Sequence, residues 1–237
     1  MKISSTACVI MGVLLFLAAS APAQDYKAIL ANPERPEAER TLDAIRKPDE
    51  MLKFYGVKAG DKVADLMASR GYYTAILSQA VGEKGVVYSA NPTVRDETRE
   101  RFKNLMYANV KVLEGGMGAV ALPSDGSLDF VLINLDYHEI AAADRASMNK
   151  KVFAALKPGG VYGVVDHNAA DGAGDAPAKT LHRIEKALVV KEATAAGFKP
   201  GKEGEMLRNP EDPRTTNAIK EARGKSDRFV LKFEKPK

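Results

Sequence analysis

One stretch, Lys62 to Pro92 (KVADLMASRGYYTAILSQAVGEKGVVYSANP), constrains the fold of this chain more than any other. Val63 to Leu66 reads as a buried strand, and a tight loop then closes on Gly71. From Tyr72 onward Tyr73, Ile76, Leu77, Ala80 and Val81 recur at i, i+3, i+4, i+7 and i+8, which is one face of a helix. Val86 to Ala90 reads as a second strand. A strand, a glycine turn, a helix and a strand in about thirty residues make a βαβ unit. Such units join parallel strands by a right-handed crossover and leave a ligand crevice at the strands' carboxyl ends.

The rest of the chain continues that sheet. Arg95 to Tyr107 is expected to be a helix and Val110 to Leu113 a short strand. Leu128 to Leu135 is a mostly apolar run bounded by turn residues, as central parallel strands are. Met148, Val152, Phe153 and Leu156 mark a helix that stops at Lys157-Pro158-Gly159-Gly160. Val161 to Val165 is the next strand, ending at Asp166-His167, and a loop rich in Gly, Ala and Asp follows. A helix is expected from Ala178 to Ala196, then a strand near Phe198, a polar loop and a last strand, Arg228 to Phe233. Ahead of the sheet, Pro48 suits the first turn of a helix over Asp49 to Tyr55 that Gly56 closes. Residues 24–60 are therefore expected to form a helical cap packed beside a domain spanning 61–237. No heptad array or internal repeat is present.

The N-terminus speaks to compartment. Lys2, the apolar run Val9 to Ala19, and Ser20-Ala21-Pro22-Ala23 have the three parts of a secretory signal peptide. Cleavage after Ala23 (signal 1–23) is expected to leave a periplasmic or secreted protein with no transmembrane segment. The only cysteine, Cys8, would leave with the signal, so the mature protein would have no thiol chemistry. The 237 residues carry 45% hydrophobic and 28% charged side chains, enough for a globular core. A net charge of +4, spread rather than massed, argues for solvated lysines and against a nucleic-acid partner.

Several segments resemble the motifs of class I S-adenosylmethionine-dependent methyltransferases. Gly60-Asp61-Lys62-Val63-Ala64-Asp65-Leu66 with Gly71-Tyr72-Tyr73-Thr74 resembles their first motif. Leu122-Pro123 with Asp125 to Asp129 resembles the entry to their fourth strand. Leu156 to Gly160 and Ala195 to Phe198 resemble the turns before the fifth and sixth. Tyr137-His138-Glu139, Asp166-His167, His182 to Glu185, Arg208-Asn209-Pro210 and Gly224 to Phe229 are similar to a narrower group of exported predicted methyltransferases. The resemblance implies a doubly wound, Rossmann-like α/β fold whose seven-stranded sheet has six parallel strands and one antiparallel. It also implies S-adenosylmethionine as cofactor, held by Asp65, Met67, Ala68, Ser69, Gly71, Tyr72, Tyr73, Asn91, Gly118 and Asn134.

The departures from that pattern are chemical. Met67 and Ser69 stand where the superfamily loop has glycines, and Arg70 brings a charge into the turn. Asn91 replaces the acid that usually holds the ribose hydroxyls, and Gly118 falls where an acid usually flanks the adenine. The strand map puts His138, beside Asp136 and Glu139, and His167, beside Asp166, at carboxyl strand ends, where open α/β sheets place chemistry. His138 is the candidate base or substrate orienter, with Asp136, Asp166 and His167 in support. Equally, these groups serve as hydrogen-bonded caps of strand ends. Three histidines with Asp136 or Asp166 offer metal donors, but no tight His spacing supports a ligand set, so no metal is assigned. Tyr72 and Tyr73 suit adenine stacking, core packing explaining Tyr73 and helix-start exposure Tyr72 nearly as well. Arg208, Arg214 and Arg223 suit an anionic substrate or ordinary solvation. The expected function is methyl transfer to a small molecule after export. The alternatives are a nucleoside- or anion-binding protein on the same fold and a metal-dependent hydrolase.

Overall fold

A computed structural model of the chain describes residues 25–116 and 121–237. The expected signal peptide and Gly118 lie outside the described residues. Strand β1 (Lys62–Leu66) leads through the Gly71 turn into α4 (Tyr72–Val81) and back into β2 (Val86–Asn91). The two strands are parallel, Asp65 opposite Ser89 and Leu66 opposite Ala90, so the expected βαβ unit is present. The helix is buried beyond its apolar stripe, with only Gln79 left partly exposed. The sheet covers one side, while Phe102 and Tyr107 close over Ala75 on another.

The remaining strands are β3 (Val110–Glu114), β4 (Leu128–Asn134), β5 (Leu156–His167), β6 (Lys199–Gly204) and β7 (Arg228–Glu234). Their order is β3-β2-β1-β4-β5-β7-β6, and β7 alone runs against its neighbours. The chain winds outward from β1 to β3 and then returns to β4 on the other side of β1. That reversal opens a crevice between the carboxyl ends of β1 and β4. Successive residues of a strand face opposite sides. Ala64, Val131 and Val164 therefore join one apolar core, packed under α6 (Ala142–Ala155) and α8 (Lys186–Ala195). Val63, Phe130 and Val165 join the other, under α1 (Tyr26–Leu30), α3 (Pro48–Tyr55) and α4.

Three expected elements differ. The helix expected over Arg95 to Tyr107 splits into α5 (Asp96–Arg101) and a 3-10 turn, Leu105–Tyr107. Asn104 caps that turn by accepting from the Met106 N–H. Strand β5 begins earlier than expected, at Leu156, with a register shift against β4, and ends at Asp166-His167 as expected. The long helix expected from Ala178 is broken into α7 (Ala178–Leu181) and α8. His182 does not begin a helix but ends α7 in the left-handed conformation (φ 53, ψ 49). The backbone of Ile184 then bridges to Asn168, which draws this segment onto the sheet.

In the N-terminal cap, α3 starts at Pro48 and closes on a left-handed Gly56, as expected. Helix α2 (Glu37–Arg46) has no buried residue and is held by polar ties instead. Among the described residues no helix is long and apolar enough to cross a membrane.

Candidate active site

The loop after β1 keeps a glycine-type backbone with one glycine of the expected three. Met67, Ser69 and Gly71 all have positive φ, at 54, 53 and 84. A left-handed conformation costs a non-glycine residue about 1–2 kcal/mol. Local hydrogen bonds offset that cost. Gly71 N donates to Ala68 O at 2.8 Å, Ala68 N to Ala90 O at 3.3 Å, and Ser69 N to Asn91 Oδ1 at 2.6 Å. Gly71 is fixed for a second reason: a Cβ there would lie 2.4 Å from the Phe102 ring. Arg70 turns outward to Glu97 at 3.1 Å, so its charge leaves the turn.

Asn91 ends β2 and is buried. Because its Oδ1 accepts from Ser69 N, its Nδ2 is the free end, and it has no partner among the described residues. Buried donors rarely go unpaired, and such an atom beside a cradle is what a bound hydroxyl or carbonyl would satisfy. Asp65, behind the loop, accepts from Thr74 Oγ1 at 2.7 Å. Burial raises its pKa to about 6, against the opposing effect of the Thr74 hydrogen bonds.

This loop floors a cavity of about 710 Å³. Of the expected cofactor residues, Asp65, Met67, Ala68, Ser69, Tyr72, Tyr73 and Asn134 line it, while Gly71 and Asn91 lie just behind the loop. The roof is α2, which contributes Glu39, Leu42, Ile45 and Arg46. Its ties are specific. Arg35 makes a two-pronged ion pair with Asp43 at 2.7 and 2.8 Å, and Asp43 also accepts from the Tyr72 hydroxyl at 2.6 Å. Arg101 grips Glu39 at 2.5 and 3.0 Å and donates to Arg70 O at 2.8 Å. Tyr72 is therefore not an exposed helix-start residue. It is buried under the roof, with the Arg46 guanidinium 4.5 Å from its ring centre.

The opposite wall carries Asp136, His167, Arg223 and Arg228. Burial, then the neighbouring charge of Asp166, pushes the Asp136 carboxyl up to about 7. Burial pushes His167 down to about 4, so it is neutral at pH 7, and its Nδ1 meets Ser226 Oγ at 2.7 Å. Arg228 donates to Ile45 O at 2.8 Å, while its Nε has no hydrogen-bond partner among the described residues. Burial lowers its pKa. Arg208 and Arg214, candidates for anion binding, are committed elsewhere: each reaches Asp227 at 2.8 Å.

His138 and Asp166 do not line the cavity. Asp166 is wholly buried and accepts from His138 N at 2.8 Å, His138 Nδ1 at 2.8 Å and His167 N at 2.7 Å. A carboxylate only accepts, so the proton is assigned to His138 Nδ1. Burial alone would lower the basicity of His138, but Asp166, with Glu139 and Asp136, outweighs it and holds the imidazole above its ordinary value. The Nε2 of His138 faces Glu139 Oε1 at 3.1 Å and His182 Nδ1 at 3.3 Å, on the far side from Asp166. Sequence reasoning singled out the histidines and missed two things: Glu139 as a partner, and the roofing role of Glu39, Arg46 and Arg101.

Comparison with known proteins agrees with this geometry. Residues 63–160 match a family model described as a methyltransferase domain. A protein-L-isoaspartate O-methyltransferase of Ignicoccus hospitalis is 31% identical over 126 residues, 52% of this chain and 56% of that protein. The ubiquinone/menaquinone biosynthesis C-methyltransferase UbiE of Cronobacter sakazakii is 32% identical over 108 residues, 44% of this chain and 42% of that protein. The chain thus spans about half the length of the curated relatives it matches. Among solved structures, a SAM-dependent methyltransferase of Aquifex aeolicus superposes with a TM-score of 0.63 at 22% identity, over 89% of this chain and 98% of that one. A Burkholderia thailandensis 1,6-didemethyltoxoflavin-N1-methyltransferase, solved with S-adenosylhomocysteine, gives 0.60 at 16% identity, over 83% of this chain and 80% of that one. Residues 63–160 thus match a methyltransferase domain, and the sheet has the fold of solved S-adenosylmethionine-dependent methyltransferases.

Proposed function

We propose that this protein is a methyltransferase that uses S-adenosylmethionine and acts, after export, on a small molecule carrying an anionic group. One observation carries the reading: the three left-handed residues of the β1 loop form a cradle between a cavity of about 710 Å³ and the unpaired Asn91 Nδ2 behind it. The residues present fit the cofactor in this way. Asn91 Nδ2 has a donor to give a ribose hydroxyl, in place of the acceptor pair an acid would offer. Gly71 lets the loop approach closely. The Tyr72 ring, backed by Arg46, presents an aromatic lining.

When bound, the cofactor supplies an activated sulfonium methyl. The protein then has to align an acceptor, remove its proton and exclude water. Asp136 is the side chain suited to accept that proton, because it lines the cavity and His138 does not. His138 and Asp166 stand behind it as supports. Arg46 and Arg228 line the cavity without a carboxylate ion-pair partner among the described residues, which favours an acceptor with negative charge. The α2 helix covers one side of the chamber.

The test is release of S-adenosylhomocysteine from S-adenosylmethionine, measured with pooled anionic small metabolites as acceptors. Wild-type protein is expected to turn over. Asp136→Asn is expected to lose about 10²–10⁴-fold in rate, the usual contribution of a positioned base, with S-adenosylhomocysteine affinity unchanged. Equal turnover by the variant would remove Asp136 from the mechanism. A nucleoside-binding protein without turnover is the second reading, favoured by the side chains of Met67 and Ser69 in the loop.

A further inference from the structure

Outside the cavity, three donor atoms converge with no apolar packing to explain them. His138 Nε2 lies 3.1 Å from Glu139 Oε1 and 3.3 Å from His182 Nδ1, and the last two are 2.8 Å apart. All three lie within the mutual distances that one ion can span. Two imidazoles and a carboxylate about 2.0–2.2 Å from a zinc-sized ion stand about 3.0–3.4 Å from one another in tetrahedral or facial octahedral geometry. Two of the observed separations, 3.1 and 3.3 Å, fall within that range, and the third, 2.8 Å, lies just below it.

The surroundings are arranged as those of a metal ligand are. The Asp166 carboxylate holds His138 Nδ1 at 2.8 Å, which leaves the Nε2 lone pair aimed at the other two donors. A buried carboxylate behind a ligating imidazole is the usual outer partner, fixing tautomer and orientation. The two histidines are also anchored through their chain neighbours. Tyr137, next to His138, is wholly buried, and its hydroxyl bonds Glu192 and Asn149 at 2.8 Å each. Arg183, next to His182, is wholly buried, with its guanidinium on Asp212 and on the carbonyls of Asn168 and Thr216. His182 itself is held at φ 53, a left-handed strain that turns its ring toward His138. Glu139 and His182 remain partly exposed, which gives an ion a path in from solvent.

We propose that His138 Nε2, Glu139 and His182 Nδ1 bind a divalent first-row transition metal ion of the zinc type, with Asp166 as positioning residue. The site clamps the turn after β4 to the end of α7. It lies beside the cavity, not in it, and stands independently of the methyl-transfer reading.

Untagged protein, stripped with a chelator and shown folded by circular dichroism, is titrated with zinc chloride in a calorimeter. The proposal expects one equivalent bound and a melting temperature that rises on saturation. His182→Ala and Glu139→Gln are each expected to weaken zinc by about 100-fold or more and to abolish that rise. Asp166→Asn keeps all three ligands and is expected to weaken zinc by about 10–100-fold, as loss of an outer partner does. Should His182→Ala misfold, Glu139→Gln, altered at a solvent-facing side chain, decides alone. No uptake by folded wild-type protein, or binding unchanged in Glu139→Gln, overturns the proposal and leaves a hydrogen-bonded cluster.

Discussion

The ends of β1 and β4 carry two polar sites built in opposite ways. At β1 two glycines expected from the resemblance are replaced by Met67 and Ser69, and the backbone that glycines suit remains, both residues holding positive φ. At β4 the backbone also turns left-handed once, at Leu135 (φ 64), before a 3-10 turn, but there the side chains do the organising. Asp166 gathers His138 and His167, and His138 meets Glu139 and His182. The contrast teaches that a ligand cradle can outlast the residues usually taken as its signature, because topology and hydrogen bonds hold the backbone in place. A side-chain cluster has no such support, and each member must be retained separately.

The contrast can be broken most forcefully at Gly71. Gly71→Val sets a branched Cβ against the Phe102 ring at a φ of 84. It is expected to cost about 3–5 kcal/mol of stability by chemical denaturation, combining overpacking with left-handed strain. A cost under about 1 kcal/mol would show that the loop is soft and the cradle is not enforced.

A pH measurement sharpens the same side. The folded pKa of Asp65 is raised to about 6 from 3.8, with burial as the first cause. The stability it contributes is fully present below its unfolded value and is lost as pH rises through about 6. Wild-type protein should therefore gain on Asp65→Asn by about 2 kcal/mol between pH 7 and pH 4. Parallel stability curves for the two proteins would mean that Asp65 is not desolvated as the fold requires.

The smallest effect is the most particular. Ser69 is exposed and left-handed, so Ser69→Gly should stabilise by up to about 1 kcal/mol and leave Asn91 accepting from the residue 69 N–H. Destabilisation beyond about 1 kcal/mol would show that the serine side chain itself supports the loop.

Much of this was legible in the sequence, for identifiable reasons. Apolar strand runs and the helix periodicity after Gly71 carried the sheet, because those patterns answer to burial alone. The left-handed state of Met67 and Ser69 was not legible, since neither residue prefers it and only the surrounding topology imposes it. His138 and His167 could be placed at strand ends by counting strands. Their separation, one facing the cavity and the other facing His182, depends on a side-chain direction that no pattern records. His182 was read into a continuous helix because nothing local marks a left-handed histidine as a break. Helix α2 escaped notice as a roof because it buries no residue, and its ties run through Arg35, Asp43, Glu39 and Arg101.

The most direct test of the central claim is calorimetric titration of the folded protein, residues 24 to 237, with S-adenosylhomocysteine. The account predicts saturable binding at one site, lost in Gly71→Val and retained in Ser69→Gly. No heat at millimolar ligand, with the protein folded, would contradict it.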